Sequence, residues 1–267
     1  MRDRLVSASA AYDAIAREYD RQLEGDAWMR RMLWNRYVEV FRPGHHVLDV
    51  GCGTATDAIF LARRGVRVTA IDVSTAMIAQ AEAKVAQHGL ADMVQVIVLD
   101  IGELADLPAS AFDGVISSFA ALNTLPMLTQ FAADAARLLR PQGRLMLHLL
   151  NRSSLWEWAG LVAHGKWAGA WQLGRRRERT FSVGGQPVRH YRPRADEAYA
   201  RYYSPHFQLC HVRGLGITRP PYPVYHAPDA ALAVLGRLDA LIGPYHPFVD
   251  WGRFVVLEMV KDSHIQP

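Results

Sequence analysis

Val47-Leu48-Asp49-Val50-Gly51-Cys52-Gly53-Thr54-Ala55 decides how this chain is read. A short apolar strand carries an acid near its end, two glycines follow with one residue between them, and a helix begins. Glycine lacks the Cβ that would hold a ligand away, so such a turn lets backbone N–H groups approach a nucleotide-like molecule. The spacing alone is shared with nicotinamide and flavin dinucleotide sites. Its company is more telling. Asp49 stands just ahead of the first glycine, Asp72 closes a second apolar strand, and Asp100 closes a third.

Outward from that turn, five apolar strands alternate with helices: Val47–Val50, Val66–Ile71, Val94–Leu99, Gly114–Phe119 and Arg144–Leu150. A helix is expected over Ser74–His88, capped by Ser74 and stopped by Gly89, and another over Pro126–Arg140 with proline in its first turn. Alternation of this kind implies βαβ crossovers and a parallel sheet, whose ligands sit beyond the carboxyl ends of the strands. Ahead of the first strand, Ser9–Asp20 and Trp28–Phe41 carry apolar residues at helical spacing, the second ending at Pro43-Gly44. After Asn151 the pattern changes. Ser153–Trp171 reads as a tryptophan-rich helix and Thr180–Tyr191 as a hairpin around Gly184-Gly185. A short helix over Ala195–Tyr203 and two strands, Phe207–Leu215 and Arg253–Val260, follow.

The three strand-ending acids make residues 12–151 resemble the class I S-adenosylmethionine (SAM) methyltransferases of small-molecule type. Asp49-Val50-Gly51-Cys52-Gly53 is similar to the family's first motif, which holds the methionine part of SAM. Asp72 matches the acid that binds both ribose hydroxyls, and Asp100-Ile101 the pair that reads adenine. Tyr12-Asp13 and Tyr19-Asp20 are similar to the N-terminal helix that closes over the cofactor as a lid. The resemblance implies that Tyr12, Tyr19, Val73, Met77 and Ser117 also surround the cofactor, whose product is S-adenosylhomocysteine. It departs at Ala55, where many members have a third glycine. The implied fold is α/β, with a doubly wound, mostly parallel seven-stranded sheet (a Rossmann-like methyltransferase fold), an N-terminal helical lid and a helix–hairpin insertion. The expected division is a lid over 1–44, a SAM-binding core over 45–152, a substrate-cap insertion over 153–205 and sheet-completing strands over 206–267.

The residues themselves support part of this. An ionised carboxylate accepts from both vicinal hydroxyls of a ribose, but nicotinamide sites use an acid in the same place, so Asp72 discriminates poorly. The dinucleotide fingerprint wants glycine or alanine at its third small position, where this chain has Thr56.

Composition narrows the class. Of 267 residues, half are hydrophobic and 21% charged, a balance able to bury a sizeable core. No apolar run approaches the roughly 18 residues that span a bilayer. Met1-Arg2-Asp3-Arg4 leads into a polar stretch rather than an apolar signal core. Cys52 and Cys210 form neither a disulfide framework nor a metal cluster. A cytoplasmic setting without a metal is expected. The net charge of +4 gathers after the core, in Arg175-Arg176-Arg177, Arg179, Arg189, Arg192, Arg194, Arg201, Arg213 and Arg219, opposed by Glu178, Asp196 and Glu197. That excess is either a solvated surface or an attraction for an anionic substrate or an acidic surface.

Methyl transfer from a sulfonium needs an in-line nucleophile and exclusion of water; a base is required only for a protonated acceptor such as a phenol. Base candidates are His148, His190, His206 and His211, while Asn123, Asn151, Tyr202 and Tyr203 could position an acceptor. The fourth strand ends Ser117-Ser118-Phe119-Ala120, without the Asn/Asp-Pro-Pro-aromatic pattern of nucleic-acid amino methylation, so nucleic acid is disfavoured as partner. A small aromatic or apolar acceptor, with room for an anionic group, is expected, with oxygen first, then nitrogen or carbon. RNA methylation, a non-catalytic SAM-binding partner and a nicotinamide-dependent oxidoreductase stay open as alternatives, and the oligomeric state is unknown.

Overall fold

A computed structural model describes residues 8–221 and 228–262; the Met1–Arg4 stretch read above lies outside the described residues. Three helices, α1 (Ala8–Ile15), α2 (Tyr19–Gln22) and α3 (Ala27–Val40), precede strand β1 (His46–Val50). Then come α4 (Thr56–Ala62), β2 (Arg67–Asp72), α5 (Thr75–Gln87), β3 (Val94–Val98), β4 (Phe112–Ser117), α6 (Thr129–Leu138) and β5 (Leu139–Leu150). The remainder comprises α7 (Leu155–Ala163), α8 (Trp167–Gln172), the hairpin β6 (Glu178–Val183) and β7 (Gln186–Tyr191), α9 (Ala195–Ala198), β8 (Phe207–Leu215), α10 (Asp229–Ile242) and β9 (Phe254–Lys261).

Seven strands form one sheet in the order β3-β2-β1-β4-β5-β9-β8. β1 to β5 are parallel, and β9 runs antiparallel between β5 and β8. The sheet is therefore doubly wound and mostly parallel, as expected. The order reverses between β1 and β4, so the crevice beyond their carboxyl ends is the topological switch point.

Both sheet faces are covered, which explains why the strands are apolar throughout. Leu48, Val50, Val115 and Leu147 pack with Phe131 and Ala135 of α6. Val47, Val68, Ile116 and Met146 point the other way, onto Leu33 and Tyr37 of α3, Phe41 just after it, and Ile59 and Leu61 of α4. Asp49, two residues from Val47 on the same strand, shares this second face by the period of two.

Several elements differ from the sequence expectation. The helix expected over Ser9–Asp20 is two helices, because bonds of the tighter i→i−3 type, Ala16 N to Asp13 O and Glu18 N to Ile15 O, end α1 early. Pro126 lies outside α6, whose N-cap is Leu128. The tryptophan-rich helix is also divided, with Gly165 in the left-handed region (φ +70°) between α7 and α8. Ser74 does cap α5, accepting from Met77 N at 3.0 Å. Among the described residues no helix is long and apolar enough to cross a membrane.

Candidate functional site

Two adjoining cavities open over the carboxyl ends of β1, β2 and β4. The smaller, about 250 Å³, is lined by Tyr12, Tyr19, Gly51, Gly53, Asp72, Val73, Met77, Asp100 and Ile101, nine of the residues that the sequence pointed to, and by Ser118, Phe119 and Leu125. The larger, about 650 Å³, lies beneath α7 and the hairpin, and shares Tyr12, Tyr19 and Phe119 with its neighbour.

The glycine turn is built by strand ends and capping. Gly51 (φ +69°) and Gly53 (φ +53°) both occupy the left-handed region, and so does Ala55 (φ +59°), which explains why a third glycine would be at ease there. A Cβ on Gly51 would meet Ala121 Cβ at 2.3 Å. Asp72 fastens the turn to β2: its Oδ2 accepts from Gly53 N and its Oδ1 from Ser74 N, each at 2.9 Å. Each carboxylate oxygen can accept twice, so two lone-pair directions remain for a ligand's hydroxyls. Burial raises the Asp72 pKa, and the backbone donors from Ser74 and Gly53 oppose that rise. Asp100 caps the turn after β3 through Gly102 N at 2.7 Å, reciprocated by Glu103.

The N-terminal helices are clasped over this turn. Asp13 Oδ1 accepts from Ser74 Oγ at 2.6 Å and Ala76 N at 3.1 Å, which holds α1 on the start of α5. Asp20 accepts from Thr54 Oγ1 at 2.5 Å and Lys84 Nζ at 2.7 Å, which holds α2 over the turn. The rings of Tyr12 and Tyr19 meet edge to face at 6.3 Å. Burial drives the Tyr19 hydroxyl well above its ordinary pKa.

The remaining predicted residues lie off the cavity walls. Asp49 is buried beneath the turn, and its Oδ2 has no hydrogen-bond partner among the described residues. Burial, then the Asp57 carboxylate, push its pKa well above the usual range, while Arg30 opposes them. Cys52 packs against the core beside β1, and burial raises its thiol pKa. Ser117 donates to Val50 O at 2.9 Å and so ties β4 to β1.

The candidate acceptor-side residues separate sharply. Tyr203 is fully buried in the α6 face of the core, against Phe207. Asn123 is a clasp: its Nδ2 donates to Tyr191 O at 2.6 Å and its Oδ1 accepts from Leu150 N at 2.8 Å, joining the end of the hairpin to the end of β5. Asn151 is held between Val249 O and Arg152 N. His148 is buried under Phe119 and Phe254; Phe119 N donates to its Nδ1 at 3.2 Å, and burial lowers its pKa to about 3. His190 is the histidine of β7 that reaches the larger cavity. Its Nδ1 lies 3.2 Å from Val188 O, which fixes the proton on that nitrogen and leaves Nε2 as an acceptor. Burial lowers its pKa.

Among the described residues, five of the ten arginines of the cluster, Arg177, Arg179, Arg189, Arg192 and Arg194, are ion-paired with acids. Glu157, which the sequence reading did not set against it, accepts from Arg179 at 2.7 Å and from Arg192 at 2.8 Å. Arg194 pairs with Asp250 at 2.9 Å, and Arg152 forms a bidentate pair with Glu197. The sequence also gave no sign of Phe119. With Ala120 it forms two consecutive non-glycine residues at positive φ, +50° and +68°, on the wall between the cavities. Arg30 stacks over its ring at 4.3 Å.

Residues 47–143 match the family model described as methyltransferase domain. Over 113 residues the chain is 40% identical to a ubiquinone biosynthesis O-methyltransferase of Xanthomonas oryzae pv. oryzae, covering 41% of this chain and 45% of that protein. Over 124 residues it is 39% identical to nocamycin O-methyltransferase of Saccharothrix syringae, covering 44% of this chain and 42% of that protein. The match thus spans under half the length of either relative. The solved PH0226 protein of Pyrococcus horikoshii OT3 shares the fold, with a TM-score of 0.58 at 17% identity over 92% of this chain and 91% of that one. Over residues 47–143 the chain carries a methyltransferase domain.

Proposed function

We propose that this protein transfers a methyl group from SAM to an oxygen of a small, largely apolar or aromatic molecule. The observation that carries the reading is the pair of adjoining cavities, one walled by the glycine turn and its acids, the other by Trp28, Met29, Trp156, Leu161, Phe181 and Phe254. The names of the two O-methyltransferase relatives favour oxygen as the acceptor.

The donor set suits SAM. Asp72 has lone pairs to spare for two ribose hydroxyls, Met77, Ile101 and Leu125 offer apolar contact to a ring, and the Asp49 carboxyl, with one oxygen lacking a hydrogen-bond partner among the described residues, lies beneath the turn where a cation above it would favour its ionised form. When bound, SAM supplies an electrophilic methyl on a sulfonium. The protein's part is to orient the acceptor and keep water out. Tyr12, Tyr19 and Phe119 form the boundary across which the methyl must pass. His190 is our candidate for the base that takes a phenolic proton onto Nε2, because burial keeps it neutral at physiological pH. Arg219, on the cavity wall over the Trp28 ring at 4.9 Å, is placed to meet an acidic substituent.

The test is transfer of labelled methyl from SAM to a panel of phenols and hydroxy acids, with a calorimetric titration of SAM and S-adenosylhomocysteine alongside. Binding of both ligands with turnover on phenols is expected. Binding of a nicotinamide dinucleotide instead would overturn the cofactor reading. SAM binding without turnover on any acceptor would favour a non-catalytic partner.

A further inference from the structure

Trp158, Trp167 and Trp171, on α7 and α8, are 48, 65 and 75% exposed. Tryptophan is the largest apolar side chain, and three exposed on adjoining short helices are a patch rather than scatter. Trp251 and Leu155 extend the patch, and an apolar cleft of about 340 Å³, lined by no charged residue, runs between Trp158 and Trp251. Directly after α8 stand Arg175, Arg176 and Arg177, all exposed. Arg175 lies over the Trp171 ring at 5.5 Å. Among the described residues, Arg177 alone of the three has a carboxylate within 4.0 Å. Arg179, Arg189, Arg192 and Arg194, by contrast, are all ion-paired.

We infer that the α7–α8 face binds the surface of an anionic lipid bilayer. Indole rings prefer the headgroup boundary, where the apolar body is buried and the N–H stays wet, and arginines beside them draw the face to anionic headgroups. The cleft between Trp158 and Trp251 suits an acyl chain. A water-facing protein partner would have to match four exposed tryptophans and unpaired arginines together, whereas a bilayer supplies both chemistries at once. The surface stands independently of the methyl-transfer reading. If that reading also holds, α7 borders both sides, since its Leu155 and Trp158 line the cleft and its Trp156, Glu157 and Leu161 line the acceptor cavity.

The experiment is sedimentation of the full chain with vesicles of equimolar phosphatidylglycerol and phosphatidylcholine, and with phosphatidylcholine alone, following tryptophan emission. Binding to the anionic vesicles, a blue shift of emission and release by high salt are expected. Arg175→Gln, Arg176→Gln and Arg177→Gln combined should weaken binding on the order of a hundredfold, about fivefold for each arginine. Trp167→Ser with Trp171→Ser should abolish the blue shift, while circular dichroism shows that the variant is folded. Absence of binding to anionic vesicles overturns the proposal. So does binding that the tryptophan variant retains. A concentration-dependent rise in mass that the same variant abolishes would make the face a contact between two copies instead.

Discussion

A Cβ on Gly184, at the tip of the β6–β7 hairpin, would stand 2.8 Å from Ile15 Cγ2 on α1. The hairpin tip and the N-terminal helix therefore touch at the wall of the larger cavity, and Val183 packs into the same small cluster as Tyr12, Tyr19 and Met77. Two caps far apart in the sequence meet there. Gly185 is also at positive φ, +77°, but a Cβ there meets open space. Alanine at either position carries a similar left-handed backbone cost of about 1–2 kcal/mol. Only Gly184→Ala also pushes the two caps apart. It should weaken SAM binding at least fivefold relative to Gly185→Ala, measured by titration calorimetry. Equal effects from the two variants would mean that the contact does not govern closure.

Asp72 holds the glycine turn with one oxygen and the start of α5 with the other. Asp72→Asn keeps the size but loses charge and one acceptor. Charge-assisted bonds to ribose hydroxyls are roughly twice as strong as neutral ones. SAM and S-adenosylhomocysteine should both bind at least tenfold more weakly, about 1.4 kcal/mol. Because both contain the ribose, a loss confined to SAM would point to the sulfonium and away from the ribose.

The sheet and the cavity at the glycine turn were legible because their signals are local. Val47–Val50 with Gly51 and Gly53, Asp72 after Val66–Ile71, and Ser74 as a helix cap each depend on neighbours within a few residues. The acceptor side was not, since its residues act through contacts distant in sequence. Asn123 has the composition of a substrate-positioning group, yet its partner is Tyr191, 68 residues away. Tyr203 closes a helix in sequence but faces the core in space. Glu157 looked like one acid on a tryptophan-rich helix and proves to neutralise two arginines. The strain at Phe119 and Ala120 leaves no compositional trace, because neither is the glycine or asparagine that usually marks positive φ.

His190, as the proposed base, must be neutral to act. Its pKa is lowered from 6.5 by burial, which the Val188 carbonyl opposes and Arg192 reinforces. Turnover of a phenol should be flat near neutral pH and fall only as pH drops through a value below 6.5. His190→Ala should cost between a hundred- and ten-thousandfold in kcat while SAM affinity is kept. A loss under tenfold on a phenol of ordinary acidity would remove His190 from the mechanism.

Asp49 and His148 pull acid stability in opposite directions. Asp49 has its folded pKa raised above 3.8, so the native state holds a proton that the unfolded chain has released. Its contribution to stability therefore falls as pH rises above 3.8. His148 has its folded pKa lowered from 6.5 to about 3, so the unfolded chain binds the extra proton and stability rises with pH across that window. Asp49→Asn should accordingly stabilise the ligand-free protein near neutral pH by about 1–3 kcal/mol, the order of a buried unsatisfied group, and by little below pH 3.8. It should also weaken SAM, because an amide cannot ionise as the carboxyl can when a cation is bound above the turn. His148→Gln should flatten the loss of stability between pH 6.5 and 3 without changing the response to Asp49→Asn. Thermal unfolding of the two variants and their combination at both pH values checks this. Destabilisation by Asp49→Asn at neutral pH would show that the carboxylate is already compensated in the ligand-free protein.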